Sequence, residues 1–292
     1  MVRPAAGMAL LVLFLLGGCG DLFSGDSAPD KKNWAVVVGI SKYQSSTLNL
    51  KWADEDALDI YDALRRSNGW DSDNITLLTN ESATKDNIKS AISGLSQRVS
   101  ADDQVVIYFS GRGSYGPDLP PFDEGDGLDE YLVPYDALPN STARDLSDDE
   151  LEALCLALPT NNVLIVLDTG FAGDSLRSGA ASGTEKFAAR TGNGTVAPGS
   201  IDGMSHDLAR PGYTFISAAR GGAAPSESNQ LHNGVFTHYF VEGLRGAANP
   251  GKKTVSAQQA FEYAAPRTAA NASGQAPQLV DNRGKSFRVT TN

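Results

Sequence analysis

From residue 33 onward the chain alternates between unbroken apolar runs and stretches in which apolar residues recur at helical spacing. The runs predict buried strands at 34–40, 75–78, 104–110, 163–168, 213–217 and 286–289. Helical spacing predicts helices at 54–66 (Ala57, Leu58, Tyr61, Leu64), 85–99 (Ile88, Ile92, Leu95, Val99), 148–158, 235–244 and 256–264. Thr84 is placed to cap the second helix, and Ser147 with Glu150 forms a capping box for the third. Strands that alternate with helices make an α/β fold: an open, mostly parallel sheet of about six strands with helices on both faces. No internal repeat is visible. Residues 173–212 are rich in Gly, Ser and Ala with weak periodicity, a length of loop that a compact domain keeps for function or leaves disordered.

The pattern before residue 33 is different. Arg3 precedes an apolar stretch from Ala9 to Leu16, too short to span a bilayer as a helix and fitting the core of a signal peptide. Leu16-Gly17-Gly18-Cys19 follows and resembles the bacterial lipobox, in which the cysteine is acylated and becomes the new N-terminus. The expected organisation is a lipoprotein signal peptide at 1–18, a flexible tether at 19–32 and one folded domain at 33–292. The protein is then exported and held on a bacterial cell membrane through Cys19. A plain secretory signal is the alternative.

Charge narrows the partners. The formal net charge of −11 opposes the field of nucleic acid, so no nucleic-acid partner is expected. With Cys19 acylated, Cys155 is the one thiol left, and no internal disulfide can form. Cys155 shares an apolar stripe with Leu151, Leu154 and Leu158, which predicts an inert, buried residue.

Candidate chemistry gathers at the ends of two strands, "YFSGRG" at 108–113 and "LDTGFAG" at 167–173, because ligands of an open parallel sheet bind outside the carboxyl ends of its strands. Together with "WAVVVGISKY", "LKWADEDALDIYDAL", "DEGDGLDEYLVPYDA", "FISAARGGAAPSES" and "GVFTHYFVEGLRG", these segments run in the order found in the caspase-like cysteine peptidases, and the chain resembles their metacaspase-type and bacterial members. In that family the third strand ends in Ser-Gly-His-Gly, carrying the general base, and the fourth ends in an Asp-Ser/Thr-Cys segment carrying the nucleophile. The corresponding residues here are Arg112 and Gly170. Glycine offers no nucleophile and arginine gives up no proton, so the resemblance implies a caspase-like fold with no intact catalytic dyad.

The resemblance also implies a pocket for an Arg or Lys side chain, formed by Asp56, Ser110 and Asp168. Its occupant is expected to be a basic segment of a peptide or protein partner, or Arg112 itself as an internal counter-charge on Asp168 or Asp56. The bland alternative is that Asp168 ends a strand and Asp56 solvates a helix. The acidic loop with Asp123, Glu124, Asp126 and Asp129 could hold calcium through hard oxygen ligands; otherwise it is a solvated charge run, and no other cofactor is expected. His206, His232 and His238 lack metal-ligand spacing, and Ser110 and Thr169, beside the substituted positions, lack an evident base. The sequence therefore predicts a membrane-anchored binding or scaffold module on a peptidase fold. An active peptidase with a relocated nucleophile and a purely structural lipoprotein are the alternatives.

Overall fold

The computed structural model describes residues 1, 31–122, 127–171, 186, 203–220 and 223–291. Signal peptide, Cys19 and most of the tether lie outside the described residues, as do Asp123, Glu124 and Asp126. Lys31–Asn292 forms one compact unit.

Its centre is a six-stranded sheet built from β1 (Asn33–Gly39), β2 (Ile75–Thr79), β3 (Gln104–Ser110), β7 (Val163–Asp168), β8 (Tyr213–Ser217) and β12 (Gln278–Asp281). The order across the sheet is β12-β8-β7-β3-β1-β2, and every pairing is parallel except that of the edge strand β12 with β8. Three smaller ribbons complete the β structure. β4 (Gly113–Pro117), β5 (Leu128–Leu132) and β6 (Leu146–Ser147) make a three-stranded sheet; β9 (Glu227–Ser228) pairs with β10 (Asn233–Gly234), and β11 (Thr254–Ser256) with β13 (Arg288–Thr291). The helices are α1 (Ala53–Arg65), α2 (Lys85–Leu95), α3 (Asp148–Leu156), α4 (Gly203–Leu208), α5 (Val235–Glu242) and α6 (Ala257–Asn271).

Two cores follow from the period-2 alternation of the strands. Val36 and Val38 of β1 face one side, with Ile88 and Ile92 of α2 and Leu151 and Cys155 of α3. Ala35 and Val37 face the other, with Ala57 and Ile60 of α1, Phe236 and Phe240 of α5 and Ala260 of α6. Helices thus cover both faces, which is why the central strands carry apolar residues at every position. Among the described residues no helix is long and apolar enough to cross a membrane.

The predicted caps are present: Thr84 Oγ1 accepts from the Asn87 N–H, and Ser147 and Glu150 form the reciprocal box. Two assignments change. Residues 286–289 do not join the central sheet; the strand there is Arg288–Thr291 and pairs with β11. The sixth central strand is Gln278–Asp281, half exposed at the edge. Helix α6 also runs through Pro266 to Asn271, beyond the predicted end at 264.

Register sets the stage for chemistry. Gly39 pairs with Ser110, and Ser110 with Asp168, so the carboxyl ends of β1, β3 and β7 finish side by side.

Candidate functional site

Asp56 lies in the first turn of α1, which packs on the face of the sheet beside these strand ends. Asp56, Ser110 and Asp168 are fully buried. The structure therefore brings together all three residues of the expected pocket, and it supplies the cation that occupies it.

That cation is Lys186. Its ammonium donates to Asp56 Oδ2 at 2.6 Å and to Ser110 Oγ at 2.8 Å, and pairs with Asp168 Oδ1 at 3.0 Å. Two hydrogen bonds and one ion pair hold the ammonium, and the Lys186 side chain has no exposure to solvent. The remaining carboxylate oxygens are satisfied by the protein. Asp56 Oδ1 accepts from the Gly234 N–H at 2.7 Å, and Asp168 Oδ2 from the Thr237 hydroxyl at 2.6 Å. The Tyr108 hydroxyl, 2.6 Å from Thr237 Oγ1, supports the far side.

The backbone of Lys186 is held as firmly. Its carbonyl oxygen accepts from the N–H groups of Gly170 at 2.9 Å and Gly113 at 3.2 Å, and its own N–H donates to the Pro225 carbonyl at 3.0 Å. Two backbone donors converging on one carbonyl oxygen form the geometry of an oxyanion hole. With its side chain in an acidic pocket and its carbonyl in that hole, Lys186 sits in the cleft as the specificity residue of a bound substrate would.

The N–H of Gly170 approaches that carbonyl from a position that carries no side chain. Gly170 has no side chain, and a Cβ built there would lie 2.7 Å from Pro225 Cδ and 2.8 Å from Ala224 Cα. The position is walled as well as empty. Gly234 is constrained from the other side: a Cβ there would lie 2.5 Å from Lys186 Nζ and 2.6 Å from Asp168 Oδ2. The ion cluster closes only because that backbone approaches without a side chain.

Arg112 is not the counter-charge expected of it. Its Nε donates to the Leu48 carbonyl at 2.6 Å and its Nη2 to that of Asn49 at 3.1 Å, while its backbone N–H donates to the Tyr43 hydroxyl. A guanidinium has a planar fork of donors suited to loop carbonyls, and here it pins the segment before α1. Lys186 takes the pocket instead.

Electrostatics follow from burial. Burial alone would push the Lys186 ammonium down, but the charges of Asp168, Asp56 and Glu227 outweigh it and hold the group well above its ordinary value, so it is a cation. Burial raises Asp56 to about 6, with Lys186 pulling in the opposite direction; the carboxylate is ionised at neutral pH.

Other candidate groups are poorly placed for catalysis. Cys155 is buried in the core, and burial pushes its thiol up to about 12. Ser110 Oγ donates to the Asp56 carboxylate, and Thr169 Oγ1 is buried with no hydrogen-bond partner among the described residues. His232 stacks on Trp52, His238 lies 3.7 Å from Glu242, and the His206 side chain is outside the described residues.

Among the described residues, one group of carboxylates could hold a metal ion: Asp129, Asp148 and Asp149, each with an oxygen within 4.8 Å of the others. Of the loop predicted to bind calcium, Asp129 is in this group and the other three residues lie outside the described ones; the partners of Asp129 come from the start of α3. Burial raises Asp148 to about 7, eased by hydrogen bonds from Glu130. A hard divalent cation is what such oxygens suit.

Comparison with known proteins gives the family and the fold. Residues 32–287 match the caspase domain, and the chain belongs to that family of peptidase-fold proteins. It is 34% identical over 133 residues to Metacaspase-3 of Arabidopsis thaliana, covering 44% of this chain and 35% of the relative. It is 30% identical over 123 residues to Metacaspase-1 of Saccharomyces cerevisiae, covering 40% and 27%. The chain thus spans about a third of the length of these relatives. A crystal structure of a Geobacter sulfurreducens protein superposes with a TM-score of 0.61 at 19% identity, over 89% of this chain and 99% of that one; it shares the fold.

The sequence pattern does not point to Lys186. It stands in the stretch without periodicity, 130 residues from Asp56 and 76 from Ser110 along the chain. The one available signal was chemical: a pocket built for a basic side chain, and a lysine in the long connection that leaves the same strand end.

Proposed function

We propose that this caspase-family chain cleaves no peptide bond and works as a membrane-anchored binding module for basic side chains, with its own Lys186 as the resident occupant. The observation that carries the reading is the double hold on Lys186, side chain on Asp56, Ser110 and Asp168 and carbonyl on the N–H groups of Gly113 and Gly170, beside a position that has no nucleophile and no room for one. Loss of the nucleophile alone costs a triad hydrolase about 10⁶-fold in turnover. What is left is recognition: two donors for a carbonyl and a buried pair of carboxylates for a cation.

A resident lysine tethered by its own chain competes at an effective concentration of the order of millimolar. A partner must therefore present a basic residue with further contacts, or Lys186 must first leave the pocket. Export and acylation at Cys19 belong to the same proposal and would hold this cleft at a membrane surface.

The test uses the full chain purified in detergent. Fluorogenic peptides with Arg or Lys at the cleaved position, with and without calcium, should give no turnover. Fluorescence polarisation of a labelled Lys peptide should show weak binding to the natural protein and at least tenfold tighter binding to Lys186→Ala. Hydrolysis by the natural chain, abolished by Cys155→Ala, would instead establish a relocated nucleophile. Failure of both proteins to bind the peptide would leave a purely structural cleft.

A further inference from the structure

At the opposite end of the sheet, where β1 and β3 begin, lies a cavity of about 450 Å³ whose wall includes Lys31, Arg283, Lys285 and Arg288 together with Asn33 and Gln104. Among the described residues no acidic side chain lines it. In a chain of net charge −11, four cations drawn into one concavity are against the overall balance.

Their charges are felt locally. Burial and then the repulsion of Arg283, Lys285 and Arg288 push the Lys31 ammonium below its ordinary value, with Asp102 opposing. Arg283 donates through Nη2 to Asn162 Oδ1 at 3.0 Å and lies over the Phe287 ring, but its Nε and Nη1 are buried with no hydrogen-bond partner among the described residues. These two nitrogens lie out of reach of a ligand, and it is the like charge of the four side chains around the cavity that an anion would offset. Gln104 Nε2, by contrast, is committed to Asn33 Oδ1 and the Arg288 carbonyl, which fixes the backbone that carries one of the four cations.

We infer that this cavity is an anion site that takes a phosphate group, free or as the headgroup of an anionic lipid. Phosphate offers several acceptor oxygens and the charge that the cluster lacks, and guanidinium groups match it in bidentate geometry. The inference rests on the cavity and its cations, and it stands whether or not the carboxyl-end cleft binds peptides. The position of Lys31 in the wall gives the headgroup source a geometric basis, because the tether leaves the domain at that residue. From Cys19 to Lys31 the chain reaches at most about 40 Å when extended.

The experiment measures the acetylation rates of Lys31 and Lys285 by mass spectrometry in the full chain, with exposed Lys42 near the carboxyl ends as the internal control. Three conditions are compared at equal ionic strength: detergent with inorganic phosphate, nanodiscs of phosphatidylglycerol, and nanodiscs of phosphatidylcholine with chloride as the only anion. Slowing of Lys31 and Lys285 by at least threefold, with Lys42 unchanged, is expected. Slowing by inorganic phosphate identifies a free anion as sufficient, and slowing only in phosphatidylglycerol identifies the lipid headgroup. The Arg283→Gln/Arg288→Gln variant should lose the protection. Absence of slowing under both anionic conditions, or protection that survives in that variant, overturns the inference.

Discussion

The two ends of the central sheet have opposite electrostatic arrangements. At the carboxyl ends, buried Asp56 and Asp168 are answered by Lys186 from the same chain, and almost every polar atom has a partner inside the protein. At the amino ends, Lys31, Arg283, Lys285 and Arg288 share a cavity with no acidic residue among the described residues of its wall. The first end carries its own ligand; the second is short of one. Burial explains the difference, since a desolvated carboxylate pair without a cation would be too costly to keep, whereas half-exposed cations are screened by water and salt.

The strongest way to break this comparison is to remove the resident cation. Lys186→Met leaves two buried carboxylates unpaired and should cost about 3–5 kcal/mol of stability, read from urea unfolding. Methylammonium or a Lys-containing peptide should restore part of that loss in the variant and do nothing for the natural protein. An unchanged unfolding midpoint in Lys186→Met would mean that the cluster is not the anchor described here.

Next in size is the wall beside the substituted nucleophile. Gly170→Ala drives a methyl group into Ala224 and Pro225 and should cost about 1–3 kcal/mol. For the same reason Arg112→His combined with Gly170→Cys should restore no peptide turnover. Turnover by that pair would show that the segment at 224–225 yields easily.

The smallest effect is that of pH, and its sign follows from Asp56. Lys186 pulls the Asp56 carboxyl down against burial, so a filled pocket favours the deprotonated form, and by linkage acid favours the empty one. Occupancy should weaken as pH falls toward about 6, where Asp56 titrates with its cation in place, and level off below that. The loss is at most about 1.4 kcal/mol per pH unit for one linked proton. Titrating a Lys peptide onto Lys186→Ala between pH 7.5 and 5 measures it; affinity that rises on acidification would reverse the assignment. Among the described residues no carboxylate lines the cationic cavity, so its affinity for a fixed-charge anion should not fall over that range, which separates the two ends in one protein.

What was legible in the sequence depends on how local the cause was. Strands β3, β7 and β8 were legible to their end residues because both faces are buried and the apolar run is unbroken. The edge strand Gln278–Asp281 was not, since one side is open to solvent and its four residues carry no clear pattern. Gly113–Pro117 was hidden for a related reason: a glycine-rich segment reads as a turn, yet here it pairs with Leu128–Leu132. At the site, Asp56, Ser110 and Asp168 could be placed from family resemblance, because each sits on a regular element. Lys186 could not, since only the folded chain brings it to them, and Arg112 was given its role by charge alone when hydrogen bonds to Leu48 and Asn49 decide where it points.

The buried thiol of Cys155 and the missing one at position 170 have a practical consequence. Electrophilic probes that label cysteine peptidases would find no reactive sulfur among the described residues. On the function proposed above, labelling counts the folds that cut, and a census of those that hold looks for a lysine in the cleft instead.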